Sequence, residues 1–189
     1  QTGRLVKPDT LQVSVAYDNG MYTYADLQRD MRLLQEMGAV TYSIGKSVLG
    51  NDLYCAEIGS GEPSIIVTGG IHARENVSCL LVARQAFDAV ASVDSFTGRL
   101  FFVPMLNPDG ALLREKGAGI APDPDWLIGV NGGSTDFSLW KANIRAVDLN
   151  TNFDARWGTG ASNIRYPASA NYIGPEPFSE PETRAIAAF

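Results

Sequence analysis

His72 and Glu75 are the residues of this chain whose types and spacing can do chemistry together. An imidazole and a carboxylate three residues apart fall on one side of a single helical turn. Both are good zinc ligands, and hydrolytic zinc sites commonly combine two histidines with one glutamate and keep a fourth position for water. In such a site the metal acidifies the water and polarises a carbonyl. The same pair also arises as a surface histidine beside a glutamate that starts a helix, where the helix dipole favours the carboxylate. Context favours the metal. His72 is the only histidine in the chain, it follows a Gly69-Gly70 break, and it is flanked by Arg74.

These side chains need a platform, and the neighbouring elements supply one. Ile65-Ile66-Val67 is wholly apolar and predicts a central strand buried on both faces. Ligands gather at the carboxyl ends of such strands in α/β sheets. Thr23, with Asp26 three residues on, is a weak capping box, and Tyr24, Leu27, Met31 and Leu34 continue at helical spacing up to Gly38. Residues 40–44 and 53–58 predict two strands joined through the turn chemistry of Gly50-Asn51-Asp52. Leu80, Ala83, Phe87 and Val90 predict a second helix, and residues 100–106 a further strand ending in a turn at Asn107-Pro108-Asp109-Gly110. The alternation predicts an α/β fold, a mixed and largely parallel sheet with helices on both faces. Residues 107–146 are glycine-rich and weakly periodic, with aromatic and charged residues interleaved, and predict a folded functional excursion. Ser179-Glu180-Pro181-Glu182 opens another helix, and Phe189 ends the chain about two turns later. The fold is therefore expected to be incomplete at its C-terminus.

Composition narrows the class. The 189 residues are 45% hydrophobic and 19% charged, as in an ordinary globular domain. The net charge of -6 and the lack of a basic run speak against nucleic acid as a partner. No apolar run reaches the ~18–20 residues of a membrane span. Cys55 and Cys79 are too few for a disulfide scaffold; two buried thiols or one bridge are the readings open to them. Trp126, Trp140 and Trp157 are expected to pack rather than line a groove.

Several motifs in order carry a resemblance. Gly70-Ile71-His72-Ala73-Arg74-Glu75 resembles the first zinc-binding motif of the zinc carboxypeptidases. Asn107-Pro108-Asp109-Gly110, Trp140-Lys141-Ala142-Asn143, Asp148-Leu149-Asn150-Thr151-Asn152-Phe153 and Pro177-Phe178-Ser179-Glu180-Pro181-Glu182-Thr183 are similar to successive landmarks of that family. The resemblance runs from about Tyr22 to Phe189. It implies residues 1–20 as an N-terminal extension and 21–189 as the N-terminal part of a zinc peptidase catalytic domain. It implies Zn2+ as cofactor, His72 and Glu75 as the first two ligands, and metal-activated water as the attacking group. The family's third ligand and general-base glutamate would lie outside this chain. The chain alone is therefore expected to be inactive, with the C-terminal part, in the same chain or as a second chain, completing it.

One departure bears on the substrate. The family's exopeptidases carry Asn-Arg where this chain has Asn150-Thr151, and the arginine grips the substrate's C-terminal carboxylate. Threonine cannot form that bidentate pair, a loss of about 2–5 kcal/mol by analogy with buried interfacial ion pairs. In this the chain resembles the bacterial γ-D-glutamyl-diaminopimelate peptidases, which implies peptidoglycan stem peptides as substrate and an extracellular or cell-wall location. The candidate substrate-binding residues are Arg74, Lys141, Arg145, Asn150 and Thr151, the three cations also being candidates to stabilise an oxyanion. The alternatives are a conventional carboxypeptidase releasing C-terminal amino acids and a non-catalytic peptide- or cell-wall-binding relative.

Overall fold

The computed structural model describes residues 21–189, so the extension expected over 1–20 lies outside the described residues. Helix α1 (Tyr24–Glu36) starts as its sequence predicts. The Thr23 hydroxyl accepts the Asp26 N–H at 3.1 Å, and the Asp26 carboxylate accepts the Thr23 N–H at 2.9 Å, completing the capping box. Beyond the cap residue Met37, Gly38 takes φ 104°, the left-handed conformation that ends the helix.

Strands β1 (Val40–Lys46), β2 (Asp52–Ser60), β3 (Ser64–Thr68) and β4 (Gly98–Val103) form one sheet in the order β1-β2-β4-β3. The β1–β2 and β2–β4 pairs are antiparallel and the β3–β4 pair is parallel, so the sheet is mixed, with antiparallel pairs in the majority among the described residues. Side chains alternate across it. Ala56, Ile58 and Phe102 join α1 and helix α2 (Asn76–Ala91) in one core, around Leu27, Met31, Ala83 and Phe87. Leu53, Cys55, Val103 and Leu106 face the other way, against Ala185 and Ile186 of helix α5 (Pro181–Ala188). Helices thus cover both faces. Cys55 and Cys79 sit in different cores as free buried thiols, and burial pushes both up to about 12.

Several expectations are corrected, beginning with the largely parallel sheet: two of its three strand pairs among the described residues are antiparallel. Ile65 and Ile66 are 51% and 46% exposed because β3 is the edge strand, while Val67 of the same strand packs against the core. Asn107-Pro108-Asp109-Gly110 is not a turn but the start of helix α3 (Pro108–Lys116), with Asn107 accepting the Gly110 N–H at 2.9 Å and proline in the first turn. The excursion over 107–146 is folded, as expected. It holds α3, helix α4 (Pro124–Val130) and a core of Leu113, Leu127, Phe137 and Trp140. Trp140 is fully buried and Trp157 partly so, but Trp126 is 41% exposed and does not pack as expected.

A buried polar hub joins this excursion to α5. Asn143 accepts the N–H groups of Arg145 at 3.0 Å and Val147 at 3.1 Å, and donates to Glu180 at 2.8 Å and toward Glu182 at 3.5 Å. Glu182 also accepts the Val48 N–H at 3.2 Å. Burial, with the nearby charges of Asp109 and Glu180 adding to it, raises the Glu182 carboxyl from 4.5 to about 7. The folded chain therefore keeps a proton that the unfolded chain releases between those values. Stability falls as pH rises through that window, and the loss is complete above it.

Two measurements test these points. Urea midpoints taken from pH 5 to 8 are expected to fall with pH, and Glu182→Gln is expected to remove a share of that slope worth about 2–3 kcal/mol; an unchanged slope in the variant would remove Glu182 from the account. Gly70 has φ 60°, and a Cβ there would run into Cys79 Sγ and lie 3.1 Å from Met105 Cα. Gly70→Ala is expected to cost about 2–4 kcal/mol of stability in the same assay.

Candidate functional site

The site begins where β3 ends. Gly69 and Gly70 let the chain pass close to the neighbouring backbone: a Cβ on Gly69 would stand 2.6 Å from the Ser78 carbonyl and 2.9 Å from that of Pro104. Gly69 donates to the Val103 carbonyl at 2.9 Å and accepts from Leu106 at 3.0 Å, and Gly70 accepts from Asn107 at 2.9 Å. The loop that follows carries His72 to Glu75, and Glu75 is the cap residue of α2.

This loop is held from several directions. Ser78 accepts the Gly70 N–H at 2.9 Å and donates to the Glu75 carbonyl at 2.7 Å. The buried Asn107 amide donates to the Ala142 carbonyl at 3.0 Å and the Ile71 carbonyl at 3.4 Å. Arg114 donates to the Ala73 carbonyl at 3.0 Å, and the Ala73 N–H donates to the Lys141 carbonyl at 3.2 Å. Ala73 itself packs in the Trp140 core. The excursion thus fixes the loop that bears the candidate ligands.

His72 Nδ1 lies 2.8 Å from Glu75 Oε2. On the other side of the ring, Nε2 lies 3.2 Å from Asp148 Oδ1, without the alignment of a good hydrogen bond. Asp148 is completely buried. Its Oδ1 also accepts the Asn150 N–H at 3.2 Å, and its Oδ2 accepts Lys141 Nζ at 2.7 Å and the Asn171 N–H at 3.0 Å. Burial alone would raise the Asp148 carboxyl, but His72 and Lys141 pull it down to about 2. Burial likewise opposes charge on His72, yet Asp148 and Glu75 together hold the imidazole above its ordinary value.

This arrangement fits a cation. A carboxylate at Nε2 favours a proton on that nitrogen, which leaves Nδ1 with a lone pair aimed at the carboxylate of Glu75. Two electron-rich atoms at that separation need positive charge between or beside them. A proton supplies it in the metal-free chain; a divalent metal that takes nitrogen and oxygen ligands suits the same pair, and zinc is such a metal. Among the described residues no group of three or more His, Cys, Asp or Glu converges on one point, so His72 and Glu75 are a pair and not a complete cage.

The other sequence candidates divide. Arg74 is exposed, with Nε 3.9 Å from Glu75 Oε1. Lys141 points at Asp148, and its side chain is only 14% exposed. Asn150 is exposed, and Thr151 donates its hydroxyl to the Asp148 carbonyl at 2.9 Å, closing the short turn Leu149–Thr151. Arg145 belongs elsewhere: its nearest acid is Glu180 of the buried hub, at 3.7 Å. The sequence reading assigned no role to Asp148 or Asn171. A buried carboxylate behind a ligand histidine is a general requirement, so the acid just before Leu149 was a findable signal; Asn171 left none.

The zinc carboxypeptidase family matches residues 29–189. The chain is 32% identical over 183 residues to γ-D-glutamyl-L-diamino acid endopeptidase 1 of Lysinibacillus sphaericus, a match covering 88% of this chain and 46% of that protein. The chain thus spans about half the length of that relative. Among solved structures, bovine thrombin-activatable fibrinolysis inhibitor in complex with tick carboxypeptidase inhibitor superposes with a TM-score of 0.73 at 21% identity, over 89% of this chain and 55% of that one. Murein-tripeptide amidase MpaA from Escherichia coli O157 superposes with a TM-score of 0.50 at 26% identity, over 82% of this chain and 57% of that one. With this fold and a match over most of its length, the chain belongs to the zinc carboxypeptidase family.

Proposed function

We propose that the protein hydrolyses a peptide amide bond with zinc as its cofactor, and that its substrate is a peptidoglycan stem peptide of the γ-D-glutamyl-diaminopimelate type. The approach of His72 Nδ1 and Glu75 Oε2 to 2.8 Å, with Asp148 behind the ring, carries the hydrolase reading. Zinc, when bound, supplies Lewis-acid polarisation of a carbonyl and an acidified water. His72 and Glu75 hold it, and Asp148 orients the His72 ring. Arg74, exposed beside Glu75, offers its guanidinium to a substrate carboxylate or to negative charge that develops during the reaction. Asn150 presents an exposed amide next to the turn that carries Thr151.

Position 151 supports the choice of substrate. Thr151 spends its hydroxyl on the Asp148 carbonyl and offers no cation to a free C-terminal carboxylate. An ordinary exopeptidase depends on such a contact. The relative that cleaves γ-D-glutamyl-L-diamino acid bonds and the murein-tripeptide amidase support the cell-wall class, and an extracellular or cell-wall location follows from it. Two protein ligands alone make a weak zinc site. His72 is the only histidine of the 189 residues, so a further histidine ligand has to come from polypeptide other than these residues.

The whole protein is expected to cleave L-Ala-γ-D-Glu-diaminopimelate peptides, to lose that activity to 1,10-phenanthroline and to regain it with zinc. Rapid release of single C-terminal residues from ordinary peptides would overturn the cell-wall reading in favour of a conventional carboxypeptidase. Absence of turnover on both substrate sets, with no zinc bound, would leave a non-catalytic binding protein. Residues 1–189 expressed alone are expected to show no turnover; cleavage by them would show that the two ligands suffice. Asp148→Asn is expected to weaken zinc binding by the whole protein about 10–100-fold in competition with a chromophoric chelator. Unchanged affinity would deny Asp148 its orienting role.

A further inference from the structure

We propose that Lys141 and Asn171 are positioning residues that act on His72 through Asp148, and that Lys141 does not reach the substrate. The two residues share one oxygen of the buried carboxylate. Asp148 Oδ2 takes Lys141 Nζ at 2.7 Å and the Asn171 N–H at 3.0 Å, which turns Oδ1 toward His72 Nε2. Oδ1 also takes the Asn150 N–H at 3.2 Å, so losing either Oδ2 donor loosens the carboxylate and shifts it relative to the ring without freeing it.

Lys141 holds the His72 loop twice. Its ammonium fixes Asp148 behind the ring, and its carbonyl accepts the N–H of Ala73, the residue after His72, at 3.2 Å. Its own backbone is held in turn, because the Lys141 and Ala142 N–H groups both donate to the Ser169 carbonyl, at 3.0 and 3.1 Å. A lysine so fixed would have to abandon a buried carboxylate to touch a substrate, leaving that charge uncompensated.

Asn171 is held in the left-handed region, at φ 64°. Asparagine is among the few residues that tolerate this conformation. The conformation aims the N–H at Asp148 while the carbonyl accepts the Ile164 N–H at 2.9 Å and the side-chain oxygen lies 3.4 Å from Lys141 Nζ. The next residue, Tyr172, accepts the Asp148 N–H at 2.8 Å, so both the side chain and the backbone of Asp148 are docked on this segment. Local strain maintained where it orients a functional group is a recognised signature of such sites.

The test reads the His72 ring directly. His72 is the sole histidine, so untagged residues 1–189 give one set of imidazole proton–nitrogen correlations. Lys141→Met is expected to shift or broaden that set as Asp148→Asn does, and Lys141→Arg to restore it. Asn171→Gly, which keeps the backbone conformation and the N–H, is expected to leave the ring signals in place, whereas Asn171→Ala moves them. In the whole protein, Lys141→Met is expected to weaken zinc binding about tenfold and to lower kcat with KM changed less than about twofold. A folded Lys141→Met with unmoved ring signals and parental zinc affinity overturns the proposal. Should Lys141→Met fail to fold by circular dichroism, Asn171→Ala decides: unmoved ring signals overturn the proposal there too. The zinc arm rests on the function proposed above. If the whole protein binds no zinc at all, that function fails, while the ring signals still decide the positioning roles.

Discussion

The site depends on one buried carboxylate. Asp148 has no exposure to solvent, and a charge in that position survives only if its lone pairs are met. They are met by Lys141 near the end of the excursion, by the N–H of Asn150 and by the N–H of Asn171, with His72 Nε2 standing 3.2 Å away after β3. Each donor is itself fixed by backbone pairing. The cost of leaving Asp148 unpaired is thus spread over the segments that build the site, and it ties their relative positions together. Removing one donor does more than delete a contact, since it leaves a charge uncompensated in a region without water-facing surface.

A second buried polar hub works by the same logic at a different place. Asn143 and the carboxylates of Glu180 and Glu182 join the excursion to the start of α5, and Arg145 approaches Glu180 from the exposed side. The Trp140–Asn143 segment therefore stands between the two hubs: Lys141 serves Asp148 and Asn143 serves Glu180. Two residues of one short segment, with one residue between them, answer two buried acid groups and so hold an irregular stretch in place. Its backbone hydrogen bonds go to side chains and to neighbouring loops, in place of a helix or strand ladder. Trp140 supplies the apolar anchor, packed edge-to-face on Phe137 with ring centroids 5.4 Å apart.

Much of this was legible in the sequence where a local rule decides the outcome. The capping box of α1, the strand over 53–58 and the spacing that brings His72 to Glu75 all act over a few residues, and the structure has each of them in place. The failures came where distant partners decide. Asn107-Pro108-Asp109-Gly110 has turn composition, but the same asparagine and proline also suit a helix start, and only the packing of α3 selects the second use. Ile65-Ile66-Val67 reads as a doubly covered strand, but its place at the sheet edge leaves Ile65 and Ile66 exposed while Val67 packs inward. Arg145 and Lys141 look equivalent in sequence, four residues apart; which acid each one meets is set by chain segments far from both.

Thr151 shows how one position can serve the fold and still constrain function. Its hydroxyl accepts no role in the apolar cores; it donates to the Asp148 carbonyl and closes the turn Leu149–Thr151. A long cationic side chain at that position would leave this hydrogen bond unmade. Threonine instead tightens the backbone that carries Asp148 and leaves the surface beside Asn150 without a fixed positive charge from that position. Arg74 is the cation that stands beside Glu75 on the His72 loop. An exposed guanidinium on the ligand loop can follow a substrate whose carboxylate is branched away from the scissile bond, where a buried anchor of fixed position would demand a simple C-terminus. Under the stem-peptide function proposed above, Thr151 leaves recognition of the substrate carboxylate to residues other than position 151.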